Sequence, residues 1–208
     1  MSFLFFTAVY SLYLGLQKTF KQQNFLAVYL CVSFLVEIFV YLKVMLNPSY
    51  EDGVIYQSYI IFSTAFMFLY LVNNKIPNLR ILGITSFVIF LLCSSFFFYK
   101  SPYQISQSMG VTFSLCYIFL SLVWLFGKLR TPGRENILKN PKFWVASGLM
   151  FWGVFFILRI IPRRLFKDLD DDLLILSQSF FNIINIFFYL LFFIALLKYK
   201  NRENGRIR

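Results

Sequence analysis

Pro141-Lys142-Phe143-Trp144-Val145-Ala146-Ser147-Gly148-Leu149-Met150-Phe151-Trp152-Gly153-Val154-Phe155-Phe156-Ile157-Leu158-Arg159-Ile160-Ile161-Pro162 is apolar but for its polar edge and Arg159. A helix needs about 20 such residues to cross the roughly 30 Å hydrocarbon core of a bilayer, so this stretch is a membrane span. The chain then turns through Arg163, Arg164, Lys167 and the acidic run Asp168 to Asp172. It returns apolar over 173–197, carrying Gln178, Asn182 and Asn185. Two membrane-length segments with polar groups on them, joined by a loop of both charges, read as part of a site as well as an anchor.

The same pattern extends outward to the whole chain. Spans are predicted over about 2–17, 24–46, 54–73, 81–99, 108–127, 143–162 and 173–197. Turn formers punctuate them at Asn47-Pro48, Asp52-Gly53, Asn73-Asn74, Ser101-Pro102 and Thr131-Pro132-Gly133. The expected fold class is all-α, a polytopic transmembrane bundle of seven helices forming one domain over 1–200, with a basic tail at 201–208. The first span is the shortest. It lacks the basic segment and small-residue cleavage site of a signal peptide and is read as retained. Hydrophobic residues make up 59% of the chain and charged ones 14%, too apolar a balance for a soluble domain. No internal repeat is evident, and no loop is long enough for a further domain.

The net charge of +11 does not point to nucleic acid, because the basic residues sit between apolar runs and not along one groove. Lys18, Lys21, Lys75, Arg80, the basic residues of 128–142 and those from Lys198 onward fall on one side. Glu51, Asp52 and the Asp168–Asp172 run fall on the other. The positive-inside rule then places the N-terminus outside and the C-terminus inside a bacterial inner membrane. The basic tail would meet anionic lipid or an acidic partner.

Histidine is absent, which removes Ser-His-Asp and Cys-His catalysis and every histidine metal or haem site. No catalytic motif, metal site or cofactor is expected. Cys31, Cys93 and Cys116 lie within apolar runs and read as packing residues. The acidic run lacks the Gly and distant Glu of a calcium loop, and reads as a self-neutralised outer loop with Asp171 or Asp172 capping the last helix.

Ionisable groups inside spans are costly and mark candidate sites. Glu37 is the clearest, on an i, i+4 stripe with Ser33 and Tyr41. At about 1.5 Å of rise per residue, Glu37 lies roughly 12 Å below the outer surface, Arg159 roughly 5 Å, Gln178 roughly 8 Å and Asn182 roughly 14 Å. A Glu37–Arg159 pair bonded to Gln178 and Asn182, with Asn185 beyond, is therefore one reading. A purely structural cluster of interhelical hydrogen bonds is another, and unrelated groups with Arg159 snorkelling to the headgroups is a third. Thr7, Tyr10 and Ser11, then Tyr56, Tyr59 and Ser63, and Ser114, Tyr117 and Ser121 recur at helical spacing and are expected on inward faces, and small residues such as Gly110 and Ser114, or Ala146 and Gly153, are expected to let helices approach closely.

Asn140-Pro141-Lys142-Phe143-Trp144-Val145-Ala146-Ser147-Gly148, with the later Phe181-Asn182-Ile183-Ile184-Asn185, resembles heptahelical membrane proteins of Bacteroidota, some of which are similar to membrane sensor regions of histidine kinases. The resemblance implies an inner-membrane signalling protein. The chain ends just after the seventh span, without a kinase core, so its output is expected to pass to a cytoplasmic or membrane partner. The expected function is a sensor or regulatory subunit with an outward polar cavity for a small ligand or protons. A small-solute or proton-coupled transporter is the alternative, and a histidine-independent lipid enzyme ranks below both.

Overall fold

The computed structural model describes residues 2–16, 21–47, 53–72, 77–100, 107–130, 136–165 and 171–204. Among these the chain is all-helical, with no strand. The helices are α1 (Ser2–Leu16), α2 (Lys21–Leu46), α3 (Gly53–Leu71), α4 (Pro77–Lys100), α5 (Gln107–Arg130), α6 (Pro141–Leu165) and α7 (Asp171–Asn204), with a short 3₁₀ turn at Ile137–Lys139. Hydrocarbon offers no partner for backbone N–H and C=O, so each span closes its hydrogen bonds on itself.

Six of the helices are long and apolar enough to cross a membrane. The exception is α1, whose 15 residues give about 22 Å, less than the hydrocarbon thickness. Several helices also outrun their predicted ends. The turn expected at Pro162 is replaced by helix to Leu165. Proline forfeits its own bond to the carbonyl four residues back, yet the N–H groups after it can still be donated. Helix α7 likewise runs on to Asn204. It begins at Asp171, while residues 168–170 of the acidic run lie outside the described residues, as do 205–208 of the tail.

Each helix packs on the next in the chain, and α1 packs on α7, so the seven close into a ring in sequence order; α3 also reaches across to α5. Ring contacts fix the registers. Phe25 stacks on Phe66 at 3.9 Å between α2 and α3, Phe5 meets Phe34 at 5.2 Å between α1 and α2, and Tyr10 meets Phe193 at 5.0 Å between α1 and α7. The most extensive packing joins α5 to α6 and α6 to α7. Glycine permits the first of these. A Cβ on Gly153 would lie 3.0 Å from the Ser114 carbonyl oxygen and 3.0 Å from Ile118 Cγ1. Cys31, Cys93 and Cys116 are all free within the bundle, Cys116 buried.

The Asn140–Gly148 stretch has a local structural logic. Asn140 Oδ1 accepts from the Lys142 N–H at 3.0 Å, capping α6, and Pro141 takes the first helical position, where a missing N–H costs nothing. Asn136 caps the preceding turn through the Leu138 N–H at 3.0 Å. Trp144 Nε1 donates to the Leu138 carbonyl at 2.9 Å, which ties turn and helix together. Lys142 Nζ reaches the Tyr70 carbonyl at 2.6 Å, placing a cation at the carbonyl end of α3. Ala146 is fully buried and Gly148 lies against Leu191 and Phe192 of α7.

Candidate functional site

The ring encloses a chain of hydroxyls. Ser33 Oγ donates to the Tyr29 carbonyl at 2.8 Å and also meets the Tyr59 hydroxyl at 2.7 Å. Ser63 Oγ donates to the Tyr29 hydroxyl at 3.4 Å and also meets the Tyr117 hydroxyl. The Tyr29 hydroxyl also lies near those of Tyr59 and Tyr117. Each hydroxyl has one proton, which fixes the direction of the chain. The Ser33 proton goes to the backbone carbonyl, so Tyr59 must donate to Ser33. The Ser63 proton goes to Tyr29, so Tyr117 must donate to Ser63, and the Tyr29 proton is left for Tyr59 or Tyr117. Tyr59 thus donates through Ser33 to the Tyr29 carbonyl, and Tyr117 through Ser63 to the Tyr29 hydroxyl, so every donor has an acceptor. Helices α2, α3 and α5 are pinned together by it.

This direction makes an asymmetric prediction. Ser33→Ala removes the acceptor that holds the Tyr59 proton, so a buried O–H loses its bond and the remaining hydroxyls must rearrange. The expected cost is about 1–3 kcal/mol. Tyr117→Phe removes only the first donor and orphans no proton, so about 0.5–1.5 kcal/mol is expected although the deleted group is of the same size. Chemical unfolding of both variants in mixed micelles checks the order. A Tyr117→Phe cost above that of Ser33→Ala would show the direction to be wrong.

Glu37 stands one turn beyond Ser33 on α2 and is partly buried. Because Ser33 meets Tyr59 across the antiparallel α2 and α3, Glu37 comes level with Tyr56. On α7, Tyr189 lies within electrostatic reach of Glu37, Tyr56 and Tyr29. A carboxyl group on α2 and tyrosines on α2 and α3 thus lie within electrostatic reach of Tyr189 on α7, with Tyr29 two turns along α2 from Glu37. Tyr29 and Tyr189 were not among the residues expected from sequence. The signal for Tyr29 was present: it precedes Ser33 by one i, i+4 step.

The other expected residues fall into separate places. Arg159 donates through Nη2 to Gln178 Oε1, and its guanidinium lies 4.4 Å from the centroid of the Phe181 ring, so it is engaged between α6 and α7. Gln178 itself is exposed, as is Asn182. Asn185 is partly buried and accepts from Trp152 Nε1 at 2.8 Å. Tyr41 is 51% exposed. Each i, i+4 step turns about 40° around a helix, so the stripe that faces inward at Tyr29 and Ser33 has rotated outward by Tyr41. The Glu37–Arg159 pairing expected from sequence is replaced by two groupings, Arg159 with Gln178 and Glu37 with the tyrosines. Helix α6 packs on α5 and α7, whereas α2 packs on α1 and α3.

Far from Glu37, a second polar contact closes the ring interior. Tyr70 and Tyr199, both buried, share a hydrogen bond of 2.7 Å, joining α3 to α7 beside Lys142. Helix α3 therefore touches the Glu37 level through Tyr56 and Tyr59, and the start of α6 through Tyr70. Comparison with protein-family models, characterised proteins and solved structures finds no match to this chain.

Proposed function

We propose that this multi-pass membrane protein is a sensor or regulatory subunit of a bacterial inner membrane, oriented with its N-terminus outside and its C-terminus inside. Glu37 is the responsive group, accepting a proton or a small ligand. The 128–142 segment and the basic tail pass the change to a cytoplasmic or membrane partner. The observation that carries this reading is the continuity of α3, which holds the hydroxyl chain beside Glu37 at one level and Lys142 at another. A displacement of α3 at Tyr56 and Tyr59 would be felt where the Tyr70 carbonyl meets Lys142. For such a device to work, the input must favour one of two packings of the ring. The resemblance of residues 140–148 and 181–185 to heptahelical membrane proteins of Bacteroidota, some of them similar to membrane sensor regions, supports the same reading.

Amide exchange tests it. The N–H groups of Lys139, Asn140 and Phe143 bond to Asn136, Ile137 and Asn140 carbonyls and report on this segment. Glu37→Gln is expected to change their protection by about 2- to 30-fold, the span of ordinary coupling energies. Unchanged protection would remove the sensor reading. A transporter is the second reading, favoured by the short α1, since partial helices beside a buried acid are a transporter feature. Solute flux in proteoliposomes that stops with Glu37→Gln would select it.

A further inference from the structure

We propose that a diacyl phospholipid is held at a fixed site just beyond the Ser2 end of α1, its ester carbonyls accepting from the Tyr41 hydroxyl and the Asn182 amide. The site goes beyond the sensor reading and depends neither on it nor on the orientation proposed with it. Two ring contacts place its parts. Phe5 meets Phe34 at 5.2 Å and α1 runs antiparallel to α2, so Ser2 stands roughly 4.5 Å beyond that contact. On α2, Tyr41 follows Phe34 by seven residues, about 20° round the helix and roughly 10.5 Å along it. Tyr10 meets Phe193 at 5.0 Å, and α7 runs parallel to α1. Asn182 precedes Phe193 by eleven residues, again about 20° round and roughly 16.5 Å along, whereas Ser2 stands roughly 12 Å from Tyr10. Tyr41 and Asn182 therefore share a level roughly 4.5–6 Å beyond Ser2, on the two faces that grip α1 lower down. There the described helices leave the line of α1 open: Tyr41 is 51% exposed, and Asn182 is exposed as well.

Depth points to the occupant. Leu16 closes α1, just before Lys18 and Lys21. With Leu16 at one edge of a hydrocarbon core about 30 Å thick, Ser2 reaches roughly 21 Å across it and the Tyr41–Asn182 level roughly 26 Å. Counted from Lys198, Asn182 comes to roughly 24 Å, nearer the far surface than the span limits read from sequence place it. A phenol and an amide thus lie about 4–6 Å inside the hydrocarbon edge, close to the ester carbonyls of a lipid. The open line from Ser2 to the level of Leu46, where α2 ends, is roughly 13 Å long. Another chain's span needs about 30 Å, and α1 fills the line below. An acyl tail alone would leave the hydroxyl and amide N–H groups without acceptors. Ester carbonyls supply them, and the tails continue over the lipid-facing side of α1, where Phe6 is 65% and Val9 47% exposed. Gln178, one turn beyond Asn182, holds Arg159, which sets a cation at the height of the phosphate.

The test uses the full chain in maltoside micelles, with bound lipids counted by native mass spectrometry. The probes are dioleoyl phosphatidylglycerol and the dialkyl ether lipid of the same head and chain length, which lacks the ester carbonyls. The unmodified chain is expected to retain one diacyl lipid at least about 2- to 12-fold more tightly than the ether lipid. Asn182→Leu and Tyr41→Phe are each expected to weaken the diacyl lipid by about 2- to 12-fold and to leave the ether lipid unchanged. Both positions are exposed, so both variants are expected to fold, and Tyr41→Phe keeps the ring. A variant that weakens both lipids alike shows a merely structural effect and overturns the proposal. Equal retention of the two lipids by the unmodified chain, or retention of neither, also overturns it. So does a complex of two copies that Asn182→Leu separates, which would assign the amide to a second copy of the chain.

Discussion

Trp152→Ala is expected to destabilise the bundle by about 3 kcal/mol, the low end for loss of an aromatic because the ring is only partly buried and lipid or detergent fills part of the space. The indole lies where three helices meet. Its ring centroid is 5.6 Å from that of Phe113 and 6.2 Å from that of Tyr117 on α5, and 6.0 Å from Phe181 and 6.1 Å from Phe188 on α7. Within α6 it stacks on Phe156 at 4.8 Å. Between helices in lipid, packing and hydrogen bonds supply the attraction that water supplies elsewhere, so these contacts matter more than their apolar area suggests. The Nε1 proton adds a bond to Asn185 at 2.8 Å. Trp152→Phe keeps most of the ring packing and loses that bond, for an expected cost of about 1 kcal/mol. Reversible unfolding in mixed micelles measures both. If alanine costs no more than phenylalanine, the α5–α6–α7 junction is held elsewhere.

Gly153→Leu should be the most disruptive substitution along the α5–α6 contact. Even the Cβ of Gly153→Ala would sit 3.0 Å from the Ser114 carbonyl oxygen, a backbone atom that moves only if the helices separate. Overpacking of this kind costs about 1–3 kcal/mol for small insertions, and the leucine variant is expected to exceed that range or fail to fold. Gly110, on the facing helix, offers the control. A Cβ there would meet Phe156 Cε1 at 2.9 Å, the far end of a side chain that can rotate away. Gly110→Ala is therefore expected to cost less than Gly153→Ala, with the alanine's better helix propensity offsetting part of it, up to about 1 kcal/mol in water. Parallel thermal scans of the two alanine variants give the order directly, and a larger loss at Gly110 would contradict the rigid-backbone explanation.

Parts of the interior were legible before folding was considered. Ser63, Ser114, Tyr117 and Ser121 all fall on buried faces, as their helical spacing implied, and Gly110 and Gly153 do mark close helix approach. The cap that Asn140 makes on α6, with Pro141 in the first turn, came from the structure. Trp152 gave no such signal, since one tryptophan in an apolar run looks like any lipid-facing aromatic. The polar residues of α7 misled for a related reason. Gln178, Asn182, Asn185 and Tyr189 lie near one line along the helix, but α1 packs beside the part of it near Phe193, while Gln178 and Asn182 are exposed.

The sequence by itself determined that this is an all-helical membrane bundle and nearly where each helix lies. Lipid denies the backbone any outside hydrogen-bond partner, and bilayer thickness sets the length of each span. Only the tertiary structure decided which groups meet. A span that is apolar all round carries almost no pattern to say which face turns inward, so the closure of α1 on α7 and the grouping of Glu37 with Tyr56 and Tyr189 come from packing. The direction of the hydroxyl chain is settled later still. It depends on Ser33 giving its proton to the Tyr29 carbonyl, a bond within one helix whose consequence is felt on two others.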